Sequence, residues 1–403
     1  MTIEEQGVRN PLVAMLELTG EEKLARGVLH TPIEIVQQPV TWENTFARVT
    51  SQSAELRRFL SQMLPASRRG SAPTVYLVGA GTSDYIGRSL TSVLRQKWQC
   101  DVIAIPSTDL ITDMESFVVP GRDYLWISFS RSGDSSEGVG VLEKALQEYP
   151  QIAHLVVTCN KDGKMSRLCA DVENAFVLLL DDAVNDRGLA MTSSFTNMVV
   201  AGQALANLTS LGSYRPILDG LVAMGRRMLS SGAAVAESVS HMQCRKACFV
   251  GSGALAAAAT ECGLKALELT AGSIYTMAES TMGLRHGPMS ALDEHTLVVF
   301  FLSEDERRLR YEIDLMQEIK SKQLGRARVA IAPRDGKNLR GLCDHLVALD
   351  APTGFPDDYR VPVDVIFGQM VGLFLSIVAK LQPDHPSPNG AINRVVSHVQ
   401  IYL

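Results

Sequence analysis

The chain has little that would hold nucleic acid, a metal ion or a membrane. Lys and Arg number 38 against 44 Asp and Glu, a formal charge of −6. No basic face is therefore expected for a nucleic-acid backbone or an anionic lipid surface. The seven cysteines, Cys100, Cys159, Cys169, Cys244, Cys248, Cys262 and Cys343, are odd in number, loosely spaced and mostly set in apolar runs. That is not a disulfide framework. The one close pair, Cys244 and Cys248, has no Cys or His cluster to complete a zinc site, so no metal is expected. Glu4, Glu5 and Arg9 precede any apolar stretch, unlike a signal peptide. No apolar run is read as long enough to span a membrane. A reducing, cytoplasmic setting is the expectation.

What is present is the composition of a globular chain: 403 residues, 46% hydrophobic and 20% charged, enough for two domains of about 150 residues and an extension. Residues 1–50 read as a mostly helical extension, 51–215 as a first domain, 216–382 as a second and 383–403 as a tail. In the first domain Thr74–Gly79, Asp101–Ile105, Tyr124–Phe129 and His154–Thr158 are short apolar runs, with helical periodicity between them. Strands of this kind, buried on both faces, predict a parallel sheet in βαβ order. The pattern restarts with Ala247–Gly251, Thr296–Phe301 and Arg328–Ile331. The strand-then-glycine turns Leu77-Val-Gly-Ala-Gly-Thr-Ser83 and Phe249-Val-Gly-Ser-Gly253 make the second half a degenerate copy of the first. The expected fold is α/β, two tandem doubly wound parallel sheets. Pro383, Pro386, Pro388 and Gly390 predict an irregular tail ending in a short extended segment.

Four stretches could carry chemistry. Gly79-Ala80-Gly81-Thr82-Ser83 follows a strand and opens a helix, where backbone N–H groups and hydroxyls can hold an anion; it is also what an ordinary capped turn looks like. Its glycine spacing is not the dinucleotide fingerprint, and no Gly-Lys-Ser/Thr makes it a P-loop. A second turn, Ser130-Arg131-Ser132-Gly133-Asp134-Ser135-Ser136, also joins strand to helix. Two such turns in one parallel sheet converge at its C-terminal edge, the crevice where open α/β sheets bind ligands. Together they suit a phosphomonoester held by neutral donors, with Arg131 offsetting charge. In the second half, Glu261, Lys265 and Glu268 recur on one helical face. They form either a solvated salt-bridged face or, among Ala and Leu neighbours, a partly buried carboxylate fit for proton transfer. His286, in Gly283-Leu-Arg-His-Gly-Pro288, sits in a turn, where a histidine is either structural or aimed into a cleft.

Taken together these stretches resemble the SIS (sugar isomerase) domain pair in the isomerase half of glucosamine-6-phosphate synthase and its relatives. The segment Thr31-Pro-Ile-Glu-Ile-Val-Gln-Gln-Pro-Val-Thr-Trp42, the run Met191-Thr-Ser-Ser-Phe-Thr196 and the ending Asn393-Arg-Val-Val396 are similar to the AgaS branch of that family. The resemblance implies an enzyme of amino-sugar catabolism. It would turn galactosamine 6-phosphate into tagatose 6-phosphate and ammonia, or isomerise tagatose 6-phosphate without deamination. A non-catalytic phosphosugar-binding regulator is the reading from another class.

The resemblance also implies roles. Gly81, Thr82, Ser83, Ser130, Arg131, Ser132 and Ser135 would take the phosphate, with Ala190 and Met191 against the sugar. Glu268 would be the base and His286 the ring opener, with Glu261, Lys265 and Arg285 in support. Neither cofactor nor metal is implied, and the partner is a small phosphosugar. A homodimer or larger homo-oligomer is expected, because in relatives the histidine can reach a neighbouring subunit's site. Three departures from the synthase stand out. About 50 residues precede the first SIS domain where the synthase has a glutaminase. Val396 aligns with its Schiff-base lysine. Gly283 replaces the Glu before its Leu-Lys-His-Gly-Pro motif.

Overall fold

A computed structural model of the chain describes residues 10–64, 72–396 and 399–402. The Glu4, Glu5 and Arg9 pattern and the tail positions 397–398 and 403 lie outside the described residues. The chain forms two compact units. One comprises Val40–Asn185, Ser193–Pro216 and the tail from Ile392; the other comprises the chain up to Pro39, Asp186–Thr192 and Ile217–Ala391.

The first unit is built on five parallel strands: β1 (Thr74–Gly79), β2 (Val102–Pro106), β3 (Tyr124–Ser130), β4 (Ala153–Thr158) and β5 (Ala175–Leu179). They lie in the order β2-β1-β3-β4-β5. Every residue of β1, β3 and β4 is buried, as expected of strands covered by helices on both faces. β5 escapes sequence reading, because a five-residue apolar run carries no period that separates strand from helix. The second unit repeats the plan with β6 (Lys246–Gly251), β7 (Tyr275–Ser280), β8 (Thr296–Phe301), β9 (Ala327–Ala332) and β10 (His345–Ala348), in the order β10-β9-β8-β6-β7. The edge strands β7 and β10 also went unread; one is partly exposed along its length and the other has four residues.

The repeat extends to backbone angles. Gly81 has φ 56° and ψ −125°, and its counterpart Gly253 has φ 59° and ψ −129°. Both values lie in a region that residues with a Cβ rarely adopt. Each glycine opens the helix after the first strand of its sheet, Thr82–Trp98 and Ala254–Leu269 respectively.

Before the first sheet the chain is helical in short pieces: Pro11–Leu16, Gly20–Arg26, Thr31–Val36, Gln38–Ser51 and Ser53–Met63. The described tail from Pro383 onward has neither helix nor strand. One expectation is corrected. The helix Asp357–Val378 is 22 residues long and apolar enough, by length and composition, to cross a membrane. It sits instead in the core of the second unit, with 89% of its apolar window buried. Pro362 and Asp364 interrupt the run in the sequence, yet both are buried in the helix. Gly368 and Gly372 let it close on the helix Ala254–Leu269. A Cβ at Gly368 would come within 2.3 Å of Cys262 Sγ, and one at Gly372 within 2.9 Å of the Lys265 carbonyl oxygen.

His154, on β4, is 1% exposed and meets Trp126 edge-on, ring centroids 5.8 Å apart. Neither of its ring nitrogens has a hydrogen-bond partner among the described residues, and burial pushes its pKa down from 6.5 to about 4. The unfolded chain therefore binds a proton that the folded chain refuses, and stability is lost as pH falls from about 6.5 toward 4. Urea unfolding at pH 7 and pH 5 should show wild type losing about 2 kcal/mol more than His154→Leu over that step. Equal losses in both proteins would exclude this residue as the source.

Candidate active site

In the first sheet the strand order reverses between β1 and β3, which are hydrogen-bonded neighbours. The helices Thr82–Trp98 and Ser136–Glu148 begin just past their C-terminal ends. Right-handed crossovers carry the two helices to opposite faces, so both N-termini meet the same crevice. Their positive dipole ends favour an anion there. The turn after β1 is tight enough that a Cβ on Gly79 would lie 2.4 Å from the Ser83 carbonyl carbon. Thr82 and Ser83 are 6% and 7% exposed.

In the turn after β3, Ser130 Oγ accepts from Gly133 N (3.0 Å) and Ser132 Oγ from Asp134 N (3.2 Å). Gly133 turns at φ 67°. Asp134 ties this turn to the loop after β4. It accepts from Lys164 N at 2.9 Å, and the side chain of Asn160 donates to the Ser132 carbonyl at 2.8 Å. Asn160 was missed in the sequence, where a lone asparagine after a strand looks like any loop residue. Gly81, Thr82 and Ser83 thus share one sheet edge with Ser130, Arg131, Ser132 and Ser135. Arg131 is 5% exposed, and its guanidinium donates to the Arg394 carbonyl of the tail. The tail continues across this turn: Ser136 N donates to the Val396 carbonyl at 3.2 Å, and Arg394 itself reaches Asn185 Oδ1 at 2.8 Å.

The same crevice in the second sheet is filled from within. Asp357, in the first turn of its helix, accepts from Ser303 Oγ, from Glu304 N at 3.0 Å and from Arg308 at 3.0 Å. The fully buried Arg360 pairs with Asp364 at 2.8 Å. A carboxylate of the chain occupies the place a ligand anion would take, and the hydroxyl-rich turns are confined to the first sheet.

Glu261, Lys265 and Glu268 do share one face of the helix Ala254–Leu269, and that face is not solvated. Lys265 Nζ lies 3.3 Å from Glu261 Oε1 and 2.6 Å from Glu268 Oε2. Side-chain exposures of 0%, 1% and 23% run from Glu261 through Lys265 to Glu268. Burial alone would drive the Lys265 ammonium down, but the two carboxylates outweigh it and hold its pKa above the ordinary value. A buried lysine fixed between two carboxylates orients Glu268 at the end that reaches solvent.

His286 is exposed and follows the short 3-10 turn Gly283–Arg285. Arg285 points away to its own unit's surface, Nε 2.7 Å from Glu318 Oε2. A Cβ on Gly283 would meet Ser280 Oγ at 2.6 Å and Glu279 Oε2 at 3.0 Å, so a Glu here, as in the synthase, would require these two side chains to shift. His286 and Glu268 do not come together within one chain. The helix starts at the C-terminal edge of β6 and runs back for 16 residues, roughly 24 Å, so Glu268 in its last turn lies at the opposite edge. The parallel strand β7 then returns the chain before His286.

Ala190 is buried and Met191 partly buried in the loop Asp186–Thr192. Thr192 N and Oγ1 both donate to Asp186, at 2.7 and 3.0 Å. Within the segments similar to the AgaS branch, Gln38, Trp42 and Thr196 serve packing. Trp42 Nε1 donates to Thr196 Oγ1 (3.0 Å) and Thr45 Oγ1 to Asn197 Oδ1 (2.7 Å), anchoring Gln38–Ser51 to the wholly buried helix Ser193–Ala206. In the other unit Gln38 reaches Gln369 at 2.7 Å, and Gln369 reaches the Thr192 carbonyl at 3.3 Å.

No family model matches the chain, but whole-length relatives do. A Streptomyces coelicolor protein, provisionally named D-galactosamine-6-phosphate deaminase AgaS, is 35% identical over 93% of this chain and 95% of its own length. The D-galactosamine-6-phosphate deaminase AgaS of Shewanella sp. (strain ANA-3) is 33% identical over 96% and 95%. Among solved structures, tagatose-6-phosphate ketose/aldose isomerase from Escherichia coli superimposes with a TM-score of 0.81 at 32% identity, covering 90% of this chain and 95% of that one. A Clostridium novyi NT structure, provisionally given the same isomerase name, reaches 0.90 at 30% identity over 96% and 98%. The C-terminal domain of glucosamine-fructose-6-phosphate aminotransferase from Francisella tularensis shares the fold, with a TM-score of 0.71 at 19% identity.

The triad gives a stability prediction. Lys265→Met leaves Glu261, which is fully buried, without the ammonium it faces. Stranding a buried charge in this way costs about 3–5 kcal/mol. Urea unfolding at pH 7 should show a loss of that order, whereas a change under about 1 kcal/mol would mean that Glu261 is not held as an anion.

Proposed function

Because the chain belongs to the AgaS branch of the SIS-domain family, we propose that it is an enzyme acting on phosphosugars, and that it converts D-galactosamine 6-phosphate and water to D-tagatose 6-phosphate and ammonia. Two whole-length relatives carry the deaminase name. The observation that carries the reading is the buried chain Glu261–Lys265–Glu268. Buried charges weaken a fold unless paired, and the pairing here supports Glu268 as a carboxylate held in place for proton transfer.

In this reading Ser83, Ser130, Ser132 and Ser135 hold the 6-phosphate, with Gly81, Thr82 and Arg131 in support and Ala190 and Met191 against the sugar. Anchoring the non-reacting end spends binding energy on orienting C1 and C2. His286 moves a proton from O1 to O5 and opens the pyranose. The Glu268 carboxylate takes the proton from C2 while O1 gains one, giving the enolamine. Return of the proton to C1 leaves an imine at C2. Water adds to that carbon, the C–N bond breaks and ammonia leaves. Lys265 and Glu261 orient the base. Isomerisation without loss of nitrogen is the second reading, favoured by the isomerase names of the two structural neighbours at 30% and 32% identity. The placement of Glu268 and His286 at opposite edges of one sheet supports a homo-oligomer in which the histidine serves a neighbouring protomer.

An ammonia-coupled assay on galactosamine 6-phosphate, with glucosamine 6-phosphate alongside, tests the reaction. Ammonia from the galacto sugar is expected. Its absence, with tagatose 6-phosphate still interconverted, would favour the plain isomerase, and binding without turnover of any phosphosugar would favour a regulator. Glu268→Gln should lower kcat about 100- to 10,000-fold while phosphosugar binding persists; near-normal turnover would remove Glu268 as the base. Refolding inactive Glu268→Gln and His286→Asn chains together should restore about a quarter of wild-type activity if each site draws the two groups from different protomers. No recovery would place both groups in one protomer.

A further inference from the structure

The segment Thr31–Val36 opens the AgaS-like N-terminal signature, yet none of its residues enters the reaction above. Within the second unit this helix stands against the loop Asp186–Thr192 and against Asp384 of the tail. Three buried carboxyl groups meet there: Glu34, Asp186 and Asp384 are 5%, 1% and 2% exposed. Glu34 Oε1 accepts from the backbone N–H of Arg187 at 2.5 Å and of Gly188 at 3.3 Å. Asp384 Oδ1 accepts from Thr31 N and Oγ1, both at 2.7 Å, and its Oδ2 from His30 N at 3.0 Å. Leu189 N donates to the Asp384 carbonyl at 3.0 Å. Arg187 and Gly188 are thus tied to the Glu34 carboxyl group, and Leu189 to the backbone of Asp384, both far off in the chain. The fit at its centre is close: a Cβ on Gly188 would meet Thr31 Oγ1 at 2.9 Å, Glu34 Oε2 at 3.1 Å and Asp384 Oδ1 at 3.9 Å.

We propose that Glu34 is a positioning residue, fastening the loop Asp186–Thr192, and with it Ala190 and Met191, in the conformation that meets the sugar. Its bearing on the sugar rests on the reading of Ala190 and Met191 above; the fastening itself does not. Burial, with Asp186 and then Asp384 as negative neighbours, holds the Glu34 carboxyl up, from 4.5 to about 8. The backbone N–H bonds from Arg187 and Gly188 pull the other way and are outweighed. At neutral pH Glu34 is therefore the protonated acid, the form that can sit beside two other carboxyl groups. Freeing the loop returns it to water, where it ionises and releases a proton. Opening is thus favoured by rising pH between about 4.5 and 8 and levels off above.

Hydrogen exchange of the 186–192 amides tests the fastening without any assay of turnover. In wild type, protection corrected for intrinsic exchange should fall by up to about tenfold per pH unit across that window. In Glu34→Gln, which keeps the acceptor oxygen and cannot ionise, it should stay flat, and in Glu34→Ala it should be lost. On galactosamine 6-phosphate at pH 7, Glu34→Ala should raise KM several-fold with kcat nearly unchanged, and Glu34→Gln should restore the wild-type KM. An exchange profile of Glu34→Gln that follows wild type would overturn the proposal, as would an unchanged loop in Glu34→Ala. If galactosamine 6-phosphate is not turned over at all, the reaction assigned above fails, while the exchange data still decide what Glu34 does.

Discussion

A parallel strand can pair with the next only if the chain first crosses back over a face of the sheet. That constraint shapes the rest of this molecule. Every strand must leave the sheet at the same edge, every crossover helix must begin there, and the strand-to-helix turns collect along one line. In the first sheet the turns after β1 and β3 stand side by side. Hydroxyl groups more than forty residues apart, Ser83 and Ser130, are thereby brought to one crevice with two helix N-termini. The glycines serve the same constraint: at Gly79 a side chain would collide with the backbone of Ser83, and at Gly81 the backbone enters a region open mainly to glycine.

The two sheets share this plan and use it differently. In the second, the crevice is closed by Asp357 and its partners, while charge is buried in the helix Ala254–Leu269 instead. A lysine between two carboxylates is a poor way to stabilise a core, since methylene groups of similar volume would serve as well or better. Its presence makes sense if the end carboxylate has chemical work to do. The Glu34 cluster follows the same logic one step removed from the sugar, with carboxyl groups buried in order to hold a loop through its backbone N–H groups.

Much of this was legible in advance. β1 and β8 were read at their observed limits and five other strands to within a residue or two at an end, because short continuous apolar runs rich in β-branched and aromatic residues leave few alternatives. β5, β7 and β10 were missed; they are short or partly exposed and lack that contrast. The helix Asp357–Val378 was underestimated as an apolar run, since Asp364 in its middle reads as a polar break until Arg360 is seen to neutralise it one turn away.

The sequence by itself determined the α/β class, the tandem repeat, the order of the chemical turns and which residues carry hydroxyl, carboxyl and imidazole groups. These follow from local patterns, in which each residue's type and its near neighbours suffice. Only the tertiary structure decided that Lys265 is buried between its carboxylates rather than solvated, that Glu268 and His286 stand at opposite edges of a sheet, and that Glu34 fastens a loop more than 150 positions away. Burial and long-range hydrogen bonding depend on which distant segments pack against a side chain. No spacing within a helix or turn encodes that packing.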